Sequence, residues 1–263
     1  MLTKKIILQG ISYDDKSSFL SGSADAPKAI RAILNNGSAN FFTEEGIDLS
    51  AHPYDDKGDF SIDEYFDIEK ITTNNLEMGI PILTLGGDHS ITYPVVKAVA
   101  KLYPAIDILH FDAHADLYDE YEGDKYSHAC PFARIMEDKL AENLVQVGIR
   151  TLNTHQKEQA IKYNVDIREM RNLKTDNLTT FKNPLYISLD MDAFDPAFAP
   201  GVSHHEPGGL TSRQVIEVIQ QIKSPIIGAD IIEYNPRRDN NDITGALAAK
   251  LLKEIWGKMI ANS

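Results

Sequence analysis

Short apolar runs alternate along the chain with longer segments whose apolar positions recur at helical spacing, which is the pattern of successive βαβ units. The runs predict strands over Lys5–Gln9, Ile80–Leu85, Ile106–Phe111, Leu144–Val147, Leu185–Leu189 and Ile226–Ile232. The segments between them predict helices near Ala26–Asn35, Asp63–Met78, Pro94–Leu102, Pro131–Lys139, Thr154–Tyr163, Ser212–Ile222 and Gly245–Ile260. Runs as continuously apolar as Ile226-Ile-Gly-Ala-Asp-Ile-Ile232 suit strands covered on both faces, so the expected fold is α/β, with a mainly parallel sheet and helices on both faces. The Asp55-Asp-Lys-Gly-Asp59 cluster reads as a surface loop rather than a boundary. No Pro/Ser-rich linker, internal repeat or low-complexity tract divides the chain, and one domain over residues 1–263 is expected.

Composition narrows the function without naming it. A hydrophobic content of 43% and a charged content of 25% belong to an ordinary globular protein. With 26 basic against 39 acidic residues the net charge is −13, which argues against non-specific binding to nucleic acid or to anionic membrane and fits a cationic substrate. Cys130 is the only cysteine, so an intrachain disulfide and a cysteine-ligated zinc site are both excluded. The start Met1-Leu-Thr-Lys-Lys-Ile-Ile-Leu-Gln-Gly10 carries an apolar stretch too short for a signal peptide. No run approaches the ~18 apolar residues of a membrane span. A cytosolic (cytoplasmic) protein is expected.

The chemistry gathers where the apolar runs end. Asp112, His114 and Asp116 follow Ile106-Asp-Ile-Leu-His-Phe111 at alternate positions, so an extended backbone turns all three to one face. Gly86-Gly-Asp-His-Ser90 follows the run ending at Leu85, Asp190 and Asp192 follow Leu185–Leu189, and Glu233 follows Ile232. Open α/β sheets bind ligands outside the carboxyl ends of their strands, and scattered surface acids would not sort to that end. The inventory of His89, Asp112, His114, Asp116, Asp190 and Asp192 is four carboxylates and two imidazoles without a thiolate. That set suits Mn2+ better than zinc, with nickel, iron and cobalt as alternatives. Six side chains exceed one tetrahedral centre. A pair of ions bridged by Asp112 and Asp190, with a hydroxide between them, accounts for the number.

The motifs Gly86-Gly-Asp-His-Ser90, Asp112-Ala-His-Ala-Asp116 and Ser188-Leu-Asp-Met-Asp192 together resemble those of the ureohydrolase family, the arginases and agmatinases. The third motif continues through Pro196, Pro200 and Gly201 to Gly208-Gly209, and the resemblance covers essentially the whole chain. The stretches Tyr121–Glu137 and Gly201–Gly208 are most similar to plant-type arginases and their bacterial relatives. The resemblance implies an arginase-like three-layer α/β/α fold and a homo-oligomer, a trimer or hexamer. It implies two Mn2+ (Ni2+ or Co2+ as alternatives), one held by His89, Asp112, Asp116 and Asp190 and the other by His114, Asp112, Asp190 and Asp192. It implies cleavage of a guanidino group to urea and an amine, with His128 as proton shuttle and Glu233 orienting the planar guanidinium through paired hydrogen bonds.

Other residues carry less. His110 is expected on the strand face opposite Asp112, packed or supporting rather than ligating, and Asp88 is expected to brace the turn carrying His89. His204 and His205 either face the substrate or are solvated, and Cys130 is expected as a buried filler. For the substrate, the acidic segment Asp119, Glu120, Glu122 and Asp124 favours agmatine, giving putrescine and urea, over the carboxylate-bearing arginine. The likeness to plant-type arginases makes arginine the alternative, with guanidinobutyrate and guanidine further out. The rival classes are a metal-binding relative without turnover, which has no chemical need for His128 and Glu233, and a one-zinc amide hydrolase, which needs only three protein ligands.

Overall fold

In the computed structural model, which describes residues 5–174, 178 and 180–262, every predicted apolar run becomes a strand. The strands are β1 (Ile7–Ser12), β2 (Asp55–Ser61), β3 (Ile82–Leu85), β4 (Asp107–Phe111), β5 (Asn143–Ile149), β6 (Asp166–Glu169), β7 (Leu185–Asp190) and β8 (Ile226–Ile232). They form one sheet in the order β2-β1-β3-β8-β7-β4-β5-β6, with every neighbouring pair parallel. The helices are α1 (Ala26–Leu34), α2 (Asp67–Asn75), α3 (Thr92–Ala100), α4 (Pro131–Glu137), α5 (Thr154–Lys162), α6 (Ser212–Gln221) and α7 (Ile243–Ala261).

Strand alternation sorts the apolar side chains into two cores. Leu8, Leu83, Leu109, Ile187 and Ala229 pack with Ile30 of α1, Ile219 of α6 and Leu252 of α7. Ile7, Ile82, Ile108, Tyr186 and Ile227 pack on the other face with Ile68 of α2, Val96 of α3, Phe132 of α4 and Ala160 of α5. The result is three layers, α/β/α, as expected. All residues of β3, β4, β7 and β8 are buried, which is why these strands read as uninterrupted apolar runs. Local sequence sets the helix boundaries where caps exist. Thr211 and Gln214 close a reciprocal capping box at the start of α6, and the Asn153 side chain accepts from the Gln156 amide at the start of α5.

The sheet edges depart from expectation. Asp55–Asp59, expected as a loop, belongs to β2, and β6 was not foreseen. Both strands are polar and pair along one side only. An edge strand needs backbone hydrogen bonds more than an apolar face, and charges on it discourage further strand addition. Arg31 of α1 holds Asp56 and Asp59 of β2 at 2.7 Å each, so the acids that suggested a loop fasten the edge to a helix. Among the described residues, no helix is long and apolar enough to cross a membrane.

Gly87 fixes the loop after β3 to the end of β1. A Cβ there would lie 1.8 Å from the Tyr13 carbonyl oxygen, which accepts the Asp88 amide at 3.0 Å. The Gly87→Ala variant is expected to lose about 1–3 kcal/mol through forced backbone separation. Urea unfolding measures this directly, and an unchanged midpoint would contradict it.

Candidate metal centre

Because the strands are parallel, the carboxyl ends of β3, β8, β7 and β4 lie side by side. The chain leaves each through a short turn that presents polar side chains. After β3, Asp88 accepts from the Ser90 amide and starts the turn His89–Ile91. After β7, Asp190 accepts from the Asp192 amide and starts the turn Met191–Ala193. After β4, the Asp112 Oδ1 accepts from the His114 amide at 2.6 Å.

These turns bring all six expected ligands together in two groups. His89 Nδ1 lies 3.2 Å from Asp112 Oδ2, 2.9 Å from Asp116 Oδ2 and 3.1 Å from Asp190 Oδ2. His114 Nδ1 lies 3.0 Å from Asp192 Oδ2 and 3.4 Å from Asp112 Oδ1. Asp112 faces both groups, one with each oxygen. His89, Asp112, Asp116, Asp190 and Asp192 are all buried, while His114 is partly open to the outside.

The donor set fits divalent ions. The Ser188 hydroxyl gives its proton to Asp230 Oδ1 at 2.7 Å and therefore accepts from His89 Nε2 at 3.1 Å. The His89 Nδ1 atom is buried with no hydrogen-bond partner and faces three carboxylate oxygens, an arrangement of acceptors that calls for a cation between them. Burial pushes Asp190 well above the usual carboxylate range, reinforced by Asp192 and Asp112, and pushes Asp192 up to about 6. Burial acts downward on His89, but its contacts with Asp112, Asp116 and Asp190 carry it well above its ordinary value. Without a cation, a proton on Nδ1 would have to serve.

His128 and Glu233 stand beside this cluster. The His128 Nδ1 lies 3.3 Å from Glu233 Oε1, and Nε2 lies 2.8 Å from the Ser18 hydroxyl and 3.1 Å from the Ser18 amide. Glu233 Oε1 also accepts the His89 amide at 2.8 Å, whereas Glu233 Oε2 is buried without a partner. That free oxygen is available to an N–H donor entering the site. Glu233 and Asp116 both have left-handed backbones, with φ of 62° and 48°. Such geometry costs about 1–2 kcal/mol for a residue with a side chain and marks positions where the surrounding structure enforces a direction. At Glu233 the enforcing contact is its amide, which donates to Gly87 O at 2.8 Å.

The supporting residues correct and extend the sequence reading. His110 does not lie opposite Asp112. Residues two apart share a strand face, and His110 Nε2 meets Asp112 Oδ2 at 2.8 Å. Asp88 braces its turn as expected, accepting also from the Lys16 amide at 3.0 Å. His204 is half-buried, its ring 5.5 Å from that of His128 and 5.9 Å from that of His114, while the exposed His205 turns away to Pro200 O at 2.7 Å. Cys130 is buried, and burial pushes its thiol up to about 12. Ser18, Gln146, Ser188, Asp230 and Arg150 were missed. Arg150 donates to the carbonyls of Asp192 (2.7 Å) and Glu206 (2.6 Å), joining the turn of Asp192 to the 201–209 loop. Ser188 and Asp230 lie two positions before a strand end, so one further step of the same period-two reading finds them.

Comparison with known proteins shows what the whole chain resembles. The family model described as "Arginase family" matches residues 4–257. The chain is 46% identical to a mitochondrial arginase of Medicago truncatula, over 96% of this chain and 81% of that protein. The solved arginase structure from Medicago truncatula superposes with a TM-score of 0.91 at 42% identity, covering 98% of this chain and 88% of that one. An agmatinase of Bacillus anthracis is 31% identical over 95% of this chain and 90% of that protein.

The contact between Glu233 and His128 has a measurable consequence. Burial lowers the His128 pKa, but the Glu233 hydrogen bond and charge outweigh it and carry the ring up to about 9. The Glu233→Gln variant removes those causes and leaves the burial. NMR titration of the metal-free chain should then place the His128 midpoint well below that of the parent protein, and an unmoved midpoint would show the pairing to be weak.

Proposed function

Since the chain belongs to the arginase family, and is thus a ureohydrolase acting on C–N bonds of linear amidines, we propose that it cleaves arginine to ornithine and urea. The observation that carries the substrate class is the buried, unpartnered Glu233 Oε2 next to the six clustered His and Asp side chains. A guanidinium offers several N–H donors in one plane, and a carboxylate with a free oxygen directs them.

The choice of arginine reverses the expectation of agmatine. One of the four acids behind that expectation, Asp124, is already paired with Lys16 at 2.6 Å, so the field opposing a substrate carboxylate is weaker than the sequence suggested. The plant relatives named arginase, at 42–46% identity, are also more similar than the Bacillus relatives named agmatinase, at 31%.

His89, Asp116 and Asp190 would hold one ion and His114 and Asp192 the other, with Asp112 and Asp190 shared. When bound, two divalent ions, Mn2+ by preference, would supply a nucleophile by lowering the pKa of water. Around them the chain's own side chains divide the remaining tasks. Glu233 orients the guanidinium so that its carbon faces the paired carboxylates. His128, held between Ser18 and Glu233, carries the proton that the leaving amine requires at Nδ1, because the Ser18 amide donates to Nε2. The half-buried His204 stands beside His114 and His128, its ring 5.9 and 5.5 Å from theirs. A homo-oligomer belongs to the same reading, on the strength of the family resemblance.

With protein loaded separately with Mn2+, Ni2+ and Co2+, urea release is expected to be faster from arginine than from agmatine, guanidinobutyrate or guanidine at equal concentration. Faster release from agmatine restores the earlier expectation, and no release from any of them overturns the proposal. The His128→Asn variant should lose roughly 10²–10⁴-fold in kcat while keeping its metal content.

A further inference from the structure

One level beneath the strand ends, six strands place a polar side chain in a single register row. Gln9, Thr84, Asp230, Ser188, His110 and Gln146 pair in that order across β1, β3, β8, β7, β4 and β5. All six are buried among apolar strand residues, where an unsatisfied polar group costs a few kcal/mol. The row faces the α2–α5 layer and is satisfied partly from it. Thr72 of α2 accepts from Gln9, and Thr92 of α3 donates to Asp230. His110 and Ser188 each lie two residues behind a metal-facing carboxylate, Asp112 and Asp190.

The hydrogen bonds at the β4–β5 end determine where protons sit. Gln146 Nε2 lies 2.6 Å from the Ala115 carbonyl oxygen, which can only accept, so the amide nitrogen is the atom at that position. The same nitrogen lies 3.0 Å from His110 Nδ1, which must therefore be the unprotonated ring nitrogen. The ring proton is then on Nε2, donated to Asp112 Oδ2 at 2.8 Å. Phe132 stacks on the His110 ring at 3.9 Å between centroids and keeps it from turning.

We propose that Gln146 and His110 form a positioning relay for Asp112. The relay makes His110 a neutral donor that occupies one lone pair of Oδ2, while the His114 amide occupies one lone pair of Oδ1. Each carboxylate oxygen keeps one lone pair. One faces the His89 group and the other faces the His114 group, which is what a shared ligand between two cations requires. Neither Gln146 nor His110 touches substrate; both act through Asp112. This inference rests on the two-metal reading proposed above.

The test reads the ring and the metal separately. In the full-length chain with 15N-labelled histidine, NMR should report His110 as protonated at Nε2 and unprotonated at Nδ1. Gln146→Leu leaves the ring stacked on Phe132 and should yield a mixture of tautomers. Titration of Mn2+ into the protein should show one of two ions bound roughly 10–100-fold more weakly in His110→Phe. His110→Gln, whose amide nitrogen reaches the place of Nε2, should recover most of that loss. A proton on Nδ1 in the parent chain, or parent-like binding of both ions by His110→Phe, overturns the relay. The two readings fail separately: an Nε2–H ring in a chain that takes up no divalent ion overturns the metal reading and upholds the relay. An Nδ1–H ring in a chain that takes up two ions does the reverse.

Discussion

Buried acceptors that face one another govern this molecule. His89 Nδ1 and three carboxylate oxygens point at a common space within about a hydrogen-bond length of each other, and Asp192 and His114 repeat the arrangement beside them. Charges of one sign are not held this close in a dry interior unless something positive is shared among them. The rest of the fold keeps the arrangement from relaxing. The parallel sheet supplies four adjacent strand ends, two helical layers exclude water from beneath, and turns anchored by Asp88, Asp112 and Asp190 leave the backbone few ways to swing the ligands apart. Left-handed conformations at Asp116 and Glu233 are local concessions to the same demand.

Most of this was legible in the sequence for a simple reason. Central parallel strands are buried on both faces, so they appear as apolar runs, and groups at their carboxyl ends appear as polar residues directly after them. Asp112, His114, Asp116, Asp190 and Asp192 needed only that rule and the two-residue period. The edges were illegible because β2 and β6 are fastened by backbone pairing and by contacts such as Arg31 with Asp56 and Asp59, neither of which leaves an apolar signature. His110 was misplaced through a parity error that the period itself corrects. Ser188 and Asp230 lay one step further back on the same period, whereas Gln146 was invisible for a different reason: it is one polar residue within an apolar strand, and its meaning comes only from the neighbour it meets across the sheet.

Substrate choice was the least legible because it belongs to the connecting segments. The acids after the metal triplet looked like a negative field at the pocket mouth, yet Lys16 comes from another part of the chain to pair Asp124. Net charge in a loop is a poor guide until its partners are known. Arg150 makes the same point in reverse. A cation two residues after Gly148 sits among backbone carbonyls rather than acids, and nothing in its local sequence announces that it ties the Asp192 turn to the 201–209 loop.

The buried polar row bears on how the chain assembles. Its members come from six strands, and Gln9 lies far from Gln146 in sequence while Asp230 bonds Thr92 across a separation of 138 residues. Such contacts close only when long loops have been closed first, so they form late in folding. An incompletely zipped sheet would leave amides, hydroxyls and a carboxylate stranded in an apolar interior. A slipped register would misalign every partner at once. The row therefore acts as a proofreading seam: its hydrogen bonds come together only in the one strand alignment that also brings the metal-facing groups into place.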